Sequence, residues 1–405
     1  MRIVILADQA IADGGAPQVA IASARGLAAL GHQVTYIHGV GDAGDPVLDT
    51  TPNIARIGLG GVDIWSKPAL AAARDGIWYG EYVERLSAIL RQFSPEDTVV
   101  HVHQWTKYFS ASLFSVLRKS GLPLAISFHD YFLTCPTGLK YRFDKAEPCT
   151  LAPLSGACLV APCDPRSMAH KLIRFARTVA AGRALKSMPF TVIHVSEQGR
   201  RTIGSYLAPD IAQHVIENPI EVPRPSGPRG GIGSKIVYCG RLTAEKGALL
   251  VAQAARAAGM PSLFIGEGPL RAAIQALDPS TEITGWLDKA AVRERIAAEA
   301  RVVVAPSLWP ETGPMVTSEA MAAGVPVIIS ERAGASARVQ DGVTGFVIPP
   351  EIEPLRSAML ALKDEGLARA MGQAAEAAYW ADPPSIENHA RKLVAVYEAL
   401  VRRRR

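Results

Sequence analysis

Two glutamates separated by seven residues are side chains that could bind a ligand together. Glu311 and Glu319 lie between two short apolar runs, Val302–Val304 and Pro326–Ile329, which predict strands. Pro314 is suited to the first position of a helix, since its missing N–H would be unpaired there. The stretch therefore predicts a strand, a loop with Glu311, a helix with Glu319, and a second strand.

The two carboxylates suit sugar hydroxyls. In a parallel α/β sheet, the carboxyl end of a strand opens onto the ligand crevice, and a helix that begins there directs free N–H groups at an anion. A carboxylate accepts hydrogen bonds from two neighbouring hydroxyls at once. We therefore expect Glu311 to bind a hexose, Glu319 to bind a ribose, and the first helix amides to bind a diphosphate. Alternatively, Glu311 favours the helix dipole and Glu319 lies on a solvated helix face.

Two cations follow another predicted strand, which begins at Lys235 and ends at Gly240. Arg241 and Lys246 lie in the turn after this strand, and a helix is predicted to start near Ala248. Cations at a strand end, facing a helix N-terminus, would neutralise a diphosphate and stabilise it as a leaving group. The alternative is a pair of exposed basic residues in a loop.

Glycines and histidines also follow predicted strands. Gly14 and Gly15 come after the apolar strand Met1–Ala7, and Gly266 and Gly268 follow another strand, so backbone could approach a ligand closely at both places. Plain turns are the alternative.

The histidines belong to two further strands. His101 and His103 share one face of the strand at residues 98–103, and His129 follows the strand Leu124–Phe128. A neutral His129 could hydrogen-bond a sugar hydroxyl, with Asp130 fixing its tautomer; a purely structural histidine is the alternative.

The motifs resemble those of the retaining nucleotide-sugar glycosyltransferases of family 4, which have the two-domain glycosyltransferase B fold. The resemblance rests on Pro-Ser before Glu-x7-Glu, Ala-Met-Ala-Ala-Gly-Val-Pro-Val-Ile after it, Gly-Arg-Leu-x3-Lys-Gly at residues 240–247, and His-Asp-Tyr at 129–131. It implies an α/β protein with two Rossmann-like, doubly wound parallel-sheet domains that face a central cleft. It also implies transfer of a sugar from a nucleoside diphosphate to an acceptor hydroxyl.

The resemblance implies roles for individual residues. Its catalytic set is Arg241, Lys246, Glu311 and His129, and its donor-binding set is Gly14, Gly15, Gly240, Gly266, Gly268, Gly313, Met315, Val316 and Glu319. Family members often have an aromatic residue and then a glycine after the first glutamate, where this chain has Gly313 and Pro314. The sequence contains no Asp-x-Asp triplet, which fits a metal-independent enzyme, and we expect same-face departure and attack at the anomeric carbon.

The predicted organisation has four parts. Residues 1–222 form an acceptor domain, 223–234 a Pro- and Gly-rich linker, 235–380 the donor domain, and 381–405 a terminal helix that crosses back to the first domain. The terminal helix is predicted at about Ile386 to Arg402.

The charge and the apolar content of the chain limit the binding partners that are expected. The 405 residues carry a net charge of +5, four of them from the terminal Arg402 to Arg405, so the sequence offers little support for nucleic-acid binding. No run approaches the ~18 apolar residues of a membrane span, and we expect a cytoplasmic protein. The basic stretch 167–186 could contact a membrane or a charged acceptor, although a solvated helix face is the preferred interpretation. The expected acceptor is a glycan or a lipid-linked precursor.

Four of the five cysteines are clustered in a segment with little periodicity. Cys135, Cys149, Cys158 and Cys163 could hold a structural zinc, although they contain no Cys-x2-Cys pair, and free thiols are the alternative. No other cofactor is expected.

Two other functions remain open at this point. A non-catalytic nucleotide-sugar sensor would use the same binding residues. A dinucleotide-dependent oxidoreductase is disfavoured because the Gly-x-Gly-x-x-Gly fingerprint is missing after Leu6. The sequence does not identify the base, the hexose, the acceptor or the oligomeric state.

Overall fold

The apolar runs of the chain form two parallel sheets in the computed structural model of the protein, which describes residues 1–186, 188–224 and 232–402. The strands, in chain order, are β1 Arg2–Ala7, β2 Gln33–Val40, β3 Ile54–Gly61, β4 Thr98–Val102, β5 Leu124–Phe128, β6 Tyr141–Arg142, β7 Glu147–Pro148, β8 Thr191–His194, β9 Ala212–Val215, β10 Lys235–Cys239, β11 Ser262–Ile265, β12 Glu282–Gly285, β13 Ala300–Ala305, β14 Val327–Ser330 and β15 Gly345–Ile348.

The helices cover the remaining apolar surface. They are α1 Gly15–Ala29, α2 Pro46–Thr50, α3 Ala69–Ile77, α4 Val83–Leu90, α5 Ser112–Ser120, α6 Gly156–Val160, α7 Met168–Leu185, α8 Glu197–Ile203, α9 Ala248–Ala258, α10 Arg271–Leu277, α11 Lys289–Glu299, α12 Met315–Ala322, α13 Ile352–Ala361, α14 Glu365–Ala381 and α15 Ile386–Arg402. Among the described residues, these helices are too short or too polar to span a bilayer.

The described chain divides into two units. The first contains Met1–Asp144, Cys149–Pro219 and the residues from Pro384 on; the second contains Ile220–Pro383 together with Lys145–Pro148. Of the linker predicted at 223–234, residues 225–231 lie outside the described residues. Helix α15, with the bounds predicted from the sequence, belongs to the first unit.

Each unit is built on a doubly wound parallel sheet, as the sequence predicted. The strand order is β3-β2-β1-β4-β5-β8-β9 in the first unit and β12-β11-β10-β13-β14-β15 in the second. In both sheets the order reverses beside the first strand, between β1 and β4 or between β10 and β13. Open α/β sheets bind ligands at such a reversal, outside the carboxyl ends of the strands.

The core of the first unit includes the terminal helix. Leu393 and Tyr397 of α15 are fully buried with Ile3 and Ala24 in one apolar cluster. Gly26 of α1 allows the two helices to approach closely, since a Cβ there would lie 2.8 Å from Ile386 Cγ2. Burial at Leu393 and Tyr397 therefore anchors α15 on the sheet of this unit.

The segment 40–75 contains regular structure that its sequence pattern did not reveal. It forms α2, β3 and most of α3. Strand β3 has glycines and is largely half-exposed, so it lacks the continuous apolar run of a central strand. The helix predicted from Tyr79 to Phe93 is also shorter, since α4 spans only Val83–Leu90.

Candidate active site

The two charged loops of the second unit lie at the same edge of its sheet. β10 and β13 are parallel neighbours, with Val237 opposite Val303, so the loops after them leave the sheet side by side. The N–H of Leu308 in one loop donates to the carbonyl of Glu245 in the other at 2.9 Å. Sheet pairing and this bond fix the loops against each other.

Glu311 is bonded at both carboxylate oxygens. Lys246 Nζ donates to its Oε1, and Ser307 Oγ donates to its Oε2. The glutamate is only 5% exposed, so this ion pair balances a charge that is costly to bury alone. The structure therefore brings together Lys246 and Glu311, two of the predicted site residues, and adds Ser307 as a hydrogen-bond donor.

Arg241 is the more exposed of the two cations. Its side chain is 57% exposed, and Nη2 lies 3.8 Å from Oε1 of the buried Glu245. Thr243 Oγ1 donates to that same oxygen at 2.8 Å. Glu245 was not predicted from the sequence, because a spacing of four residues indicates an ion pair within a helix and this stretch is a loop before α9. The guanidinium is thus oriented from one side and open to solvent on the other.

The helix after Glu311 begins one residue later than predicted. Pro314 is the N-cap of α12, with non-helical φ −70° and ψ 115°, and Met315 is the first helical residue. The amides of Met315 and Val316 belong to the first turn, where backbone N–H groups have no partner within the helix. Pro314 supplies none, so amide donors toward an anion begin at Met315.

Glu319 lies in the second turn of α12 and is largely enclosed. Burial raises its pKa above the usual 4.5, while Arg293 and Lys289 act in the opposite direction. The residue is not on a solvated helix face, which was the alternative interpretation. The helix ends as predicted, with Gly324 in the left-handed conformation at φ +67°.

The glycines after β10 and β11 allow two loop backbones to touch. A Cβ at Gly266 would lie 2.1 Å from the Gly240 carbonyl oxygen, and one at Gly268 would lie 2.5 Å from the Leu242 oxygen. All three glycines also have positive φ. Backbone packing therefore already requires glycine here, and close approach of a ligand stays a prediction.

The remaining predicted glycines lie where strands give way to helices. Gly14 is the N-cap of α1 and Gly15 its first residue, after β1. Gly313 lies in the loop before α12. Their contacts with a donor stay predictions.

In the first unit, three histidines form a row at the ends of β4 and β5, with His101 and His103 buried and His129 half-buried. His103 Nδ1 lies 3.0 Å from His129 Nε2, and the rings of His101 and His103 are 4.1 Å apart. Burial, with a smaller contribution from His389, lowers the pKa of His129 to about 3, so its ring is neutral at neutral pH. Asp130 Oδ1 accepts from the Phe132 N–H at 3.0 Å, and a role of Asp130 in fixing the His129 tautomer stays a prediction.

Two family models of glycosyltransferases together match most of the chain. Residues 14–219, more than half of it, match the glycosyl transferase 4-like domain, and residues 233–365 match the glycosyl transferases group 1 model. The chain belongs to the group 1 glycosyltransferases. The predicted glycosyltransferase B fold is confirmed by solved structures that resemble it over nearly their whole length.

Three relatives illustrate the range of the family. Sucrose-phosphate synthase from Thermosynechococcus elongatus has a TM-score of 0.66 at 19% identity, with 99% of both chains covered. Anabaena HepE, solved with UDP-glucose, has a TM-score of 0.67 at 15% identity, with 98% of this chain and 100% of that chain covered. The α-D-kanosaminyltransferase of Streptomyces kanamyceticus is 29% identical over 126 residues, which are 28% of this chain and 32% of that enzyme.

The basic stretch of this family member is not the solvated face that was preferred from its sequence. Lys171 of α7 is fully buried, and its Nζ donates to the carbonyls of Cys158 and Ala161. Arg177 is also buried, with its guanidinium 4.7 Å from the Phe132 ring centroid. Burial lowers the pKa of Arg177 to about 9. The sequence showed the spacing of these cations but not the loop and rings that cover them.

The cysteine segment packs against this same helix. Cys135, Cys158 and Cys163 are buried, Cys149 is partly buried, and all four are free thiols. Among the described residues, no three histidine, cysteine or acidic side chains are grouped closely enough to hold a metal. Zinc binding at this segment stays a prediction.

Proposed function

We propose that this chain transfers a sugar from a nucleoside diphosphate to an acceptor hydroxyl, without a metal ion and with retention at the anomeric carbon. The observation that carries the proposal is the joining of two loops at one sheet edge through Lys246 and Glu311. One loop supplies cations for a diphosphate, and the other supplies a carboxylate for a sugar and leads into a helix N-terminus.

The diphosphate would be bound by Arg241, Lys246 and the amides of Met315 and Val316. Arg241 supports this role because its guanidinium is largely exposed yet oriented by Glu245. Charge on the leaving diphosphate develops in the transition state, so fixed cations and amide dipoles would stabilise it there more than in the ground state. These groups would supply the positive charge that a divalent metal provides in other transferases.

Glu311 and Glu319 would bind the sugar parts of the donor. Glu311 shares Lys246 with the diphosphate, so donor binding would couple the orientation of the hexose to that of the leaving group. Glu319, with a pKa already raised by burial, would regain hydrogen bonds from ribose hydroxyls. We propose that His129, a neutral imidazole, hydrogen-bonds a hydroxyl of the reacting sugar.

The proposed acceptor is a glycan or a lipid-linked precursor of a polysaccharide, lipopolysaccharide or glycolipid. The family resemblance supports this class. With retention, the acceptor hydroxyl would attack from the face that the diphosphate leaves, and the departing phosphate oxygen is the natural acceptor of its proton.

A thermal-shift panel with uridine, guanosine, adenosine and cytidine diphosphates, in the presence of a chelator, tests the donor site. A ligand at 100 times its dissociation constant stabilises a fold by ~2.7 kcal/mol. We expect one diphosphate to raise the melting temperature of the wild type and of Arg369→Ala, but not of Arg241→Ala.

Arg369 is a matched control because it lies on α14 in an exposed ion pair with Glu365. A shift that appears only when a divalent metal is added would overturn the metal-independent part of the proposal. A shift that persists in Arg241→Ala would remove that residue from the donor site.

A further inference from the structure

The buried imidazoles of the first unit determine where His129 carries its hydrogen. His103 Nδ1 and His129 Nε2 are 3.0 Å apart, and the planes of the two rings differ by only 19°, as an in-plane N–H···N bond requires. Burial lowers the pKa of both rings far below neutral pH, so each carries a single N–H. One hydrogen must lie between the two nitrogens, because two lone pairs would repel each other at this distance.

Two arrangements of that hydrogen exist, and they differ at the other nitrogen of His103. If His129 donated, His103 would carry its hydrogen on Nε2, which is buried and has no hydrogen-bond partner among the described residues. A buried N–H without an acceptor is rare in folded proteins. If His103 donates from Nδ1, its Nε2 is instead a bare ring nitrogen, and no N–H is left unpaired on that ring.

The surroundings keep the His103 ring in place. Its backbone N–H donates to the Leu6 carbonyl at 2.9 Å, which fixes the end of β4 against β1. The neighbouring His101 ring is itself fixed, with Nε2 2.8 Å from Ser127 Oγ and Nδ1 2.5 Å from the Tyr397 hydroxyl. Contacts with β1 and with the fixed His101 ring therefore hold His103 in the orientation that directs Nδ1 at His129.

We infer that His103 is a positioning residue that donates from Nδ1 to His129 Nε2 and so fixes His129 in the tautomer with hydrogen on Nδ1. Its importance for turnover rests on the proposed function, in which His129 contacts the reacting sugar. His129 Nε2 is then occupied, so any hydrogen bond that His129 donates to a sugar would come from Nδ1–H, and Nε2 does not take a proton.

Nuclear magnetic resonance of the full chain, labelled with ¹⁵N-histidine, tests the tautomer without any transferase assay. We expect hydrogen on Nδ1 in both His103 and His129, with scalar coupling across the N–H···N bond identifying the pair. A wild-type His129 with hydrogen on Nε2 would overturn the inference. This result is independent of whether the chain transfers a sugar.

Two substitutions test the positioning role. The amide of Asn overlaps the place of Nδ1 in histidine, whereas the amide of Gln overlaps the place of Nε2. With folding checked by thermal unfolding, His103→Asn should keep the His129 tautomer and most of the turnover. His103→Gln should release the tautomer and lower kcat by about 10- to 100-fold with little change in KM.

Equal tautomers in the Asn and Gln variants would contradict the role of Nδ1, whatever their kinetics. Equal kcat values with different tautomers would show that the tautomer is set by His103 but does not govern turnover, which overturns the positioning role. Absence of turnover in the wild type with every donor would instead count against the proposed function.

Discussion

The two units of this chain place their candidate residues in opposite environments. In the second unit, Arg241 and Lys246 are charged and lie on loops, and their partners include the carboxylates Glu245 and Glu311. In the first unit, His103 and His129 are held uncharged by burial and bond to each other. One unit is thus suited to binding an anion, and the other to presenting a neutral hydrogen-bonding group.

The two units also differ in how much of each candidate site can be predicted from the sequence. Arg241 and Lys246 are five positions apart in one loop, and Glu311 lies in the loop of the adjacent strand. The histidines were likewise found from the strands that precede them, but the group that supports the row was not, since Tyr397 and His101 are 296 positions apart. Local motifs therefore identify the candidate residues of both units, whereas the contacts that orient the histidines require the fold.

The largest expected effect of a substitution is the loss of turnover when Arg241 of the charged site is replaced. Arg241→Ala should lower kcat by about 100- to 1000-fold, because a fixed charge beside a developing anion is lost in the transition state. Steady-state release of the nucleoside diphosphate measures it, with Arg369→Ala as the control. A loss of only a few-fold would mean that Arg241 is not a leaving-group residue.

Acid should destabilise the first unit. Burial lowers the pKa of His389 to about 4 from 6.5, and its neutral ring bonds to Ser23 and the Glu217 carbonyl. The depressed folded pKa means that its stability contribution is present above pH 6.5 and lost as pH falls toward 4. The full effect corresponds to about 3 kcal/mol, measurable by urea unfolding at both pH values.

His389→Gln identifies the source of that loss. The variant should be less stable at pH 7 but should lose less stability between pH 6.5 and 4 than the wild type. An unchanged pH dependence would show that other groups dominate acid unfolding.

The buried Lys171 should contribute more to the free energy of unfolding than the exposed Lys186. Lys171→Ala removes two charge-assisted bonds to the Cys158 and Ala161 carbonyls, so we expect the free energy of unfolding to fall by about 2 kcal/mol. Lys186→Ala, at the exposed end of the same helix, should change it by less than ~0.5 kcal/mol. Similar small effects for both would restore the interpretation of α7 as a solvated basic helix.

The smallest expected effect on stability is that of Glu319. The pH dependence of its contribution is opposite to that of His389. Its pKa is raised in the fold, so the stability it contributes is complete below pH 4.5 and is lost as pH rises through the folded pKa. Glu319→Gln should therefore stabilise the ligand-free chain slightly at pH 7 while reducing the thermal shift by a nucleoside diphosphate. A loss of stability at pH 7 would contradict the burial argument.

Much of the fold followed from sequence because parallel strands buried on both faces read as continuous apolar runs. This holds for β1, β5 and β10. It fails for β3, which is rich in glycine, and for β9, which is largely half-exposed, so neither has the run of apolar residues that marks a buried strand.

The charged site was predicted through spacing, but its supporting residues were not. Ser307 and Glu245 each bond to a site residue four positions away in their own loop, where that spacing does not by itself predict a contact. The burial of Lys171 and Arg177 was not predicted either, because a periodic row of cations does not indicate which of them the rest of the chain covers.

Release of nucleoside diphosphate from each nucleoside-diphosphate sugar, measured with purified chain in a chelator, is the direct test of metal-independent sugar transfer. We expect slow release by hydrolysis from one donor, without added metal, and faster release once a suitable acceptor hydroxyl is present. Binding of that donor without any release, with or without acceptors, would rule out transfer and indicate a nucleotide-sugar sensor.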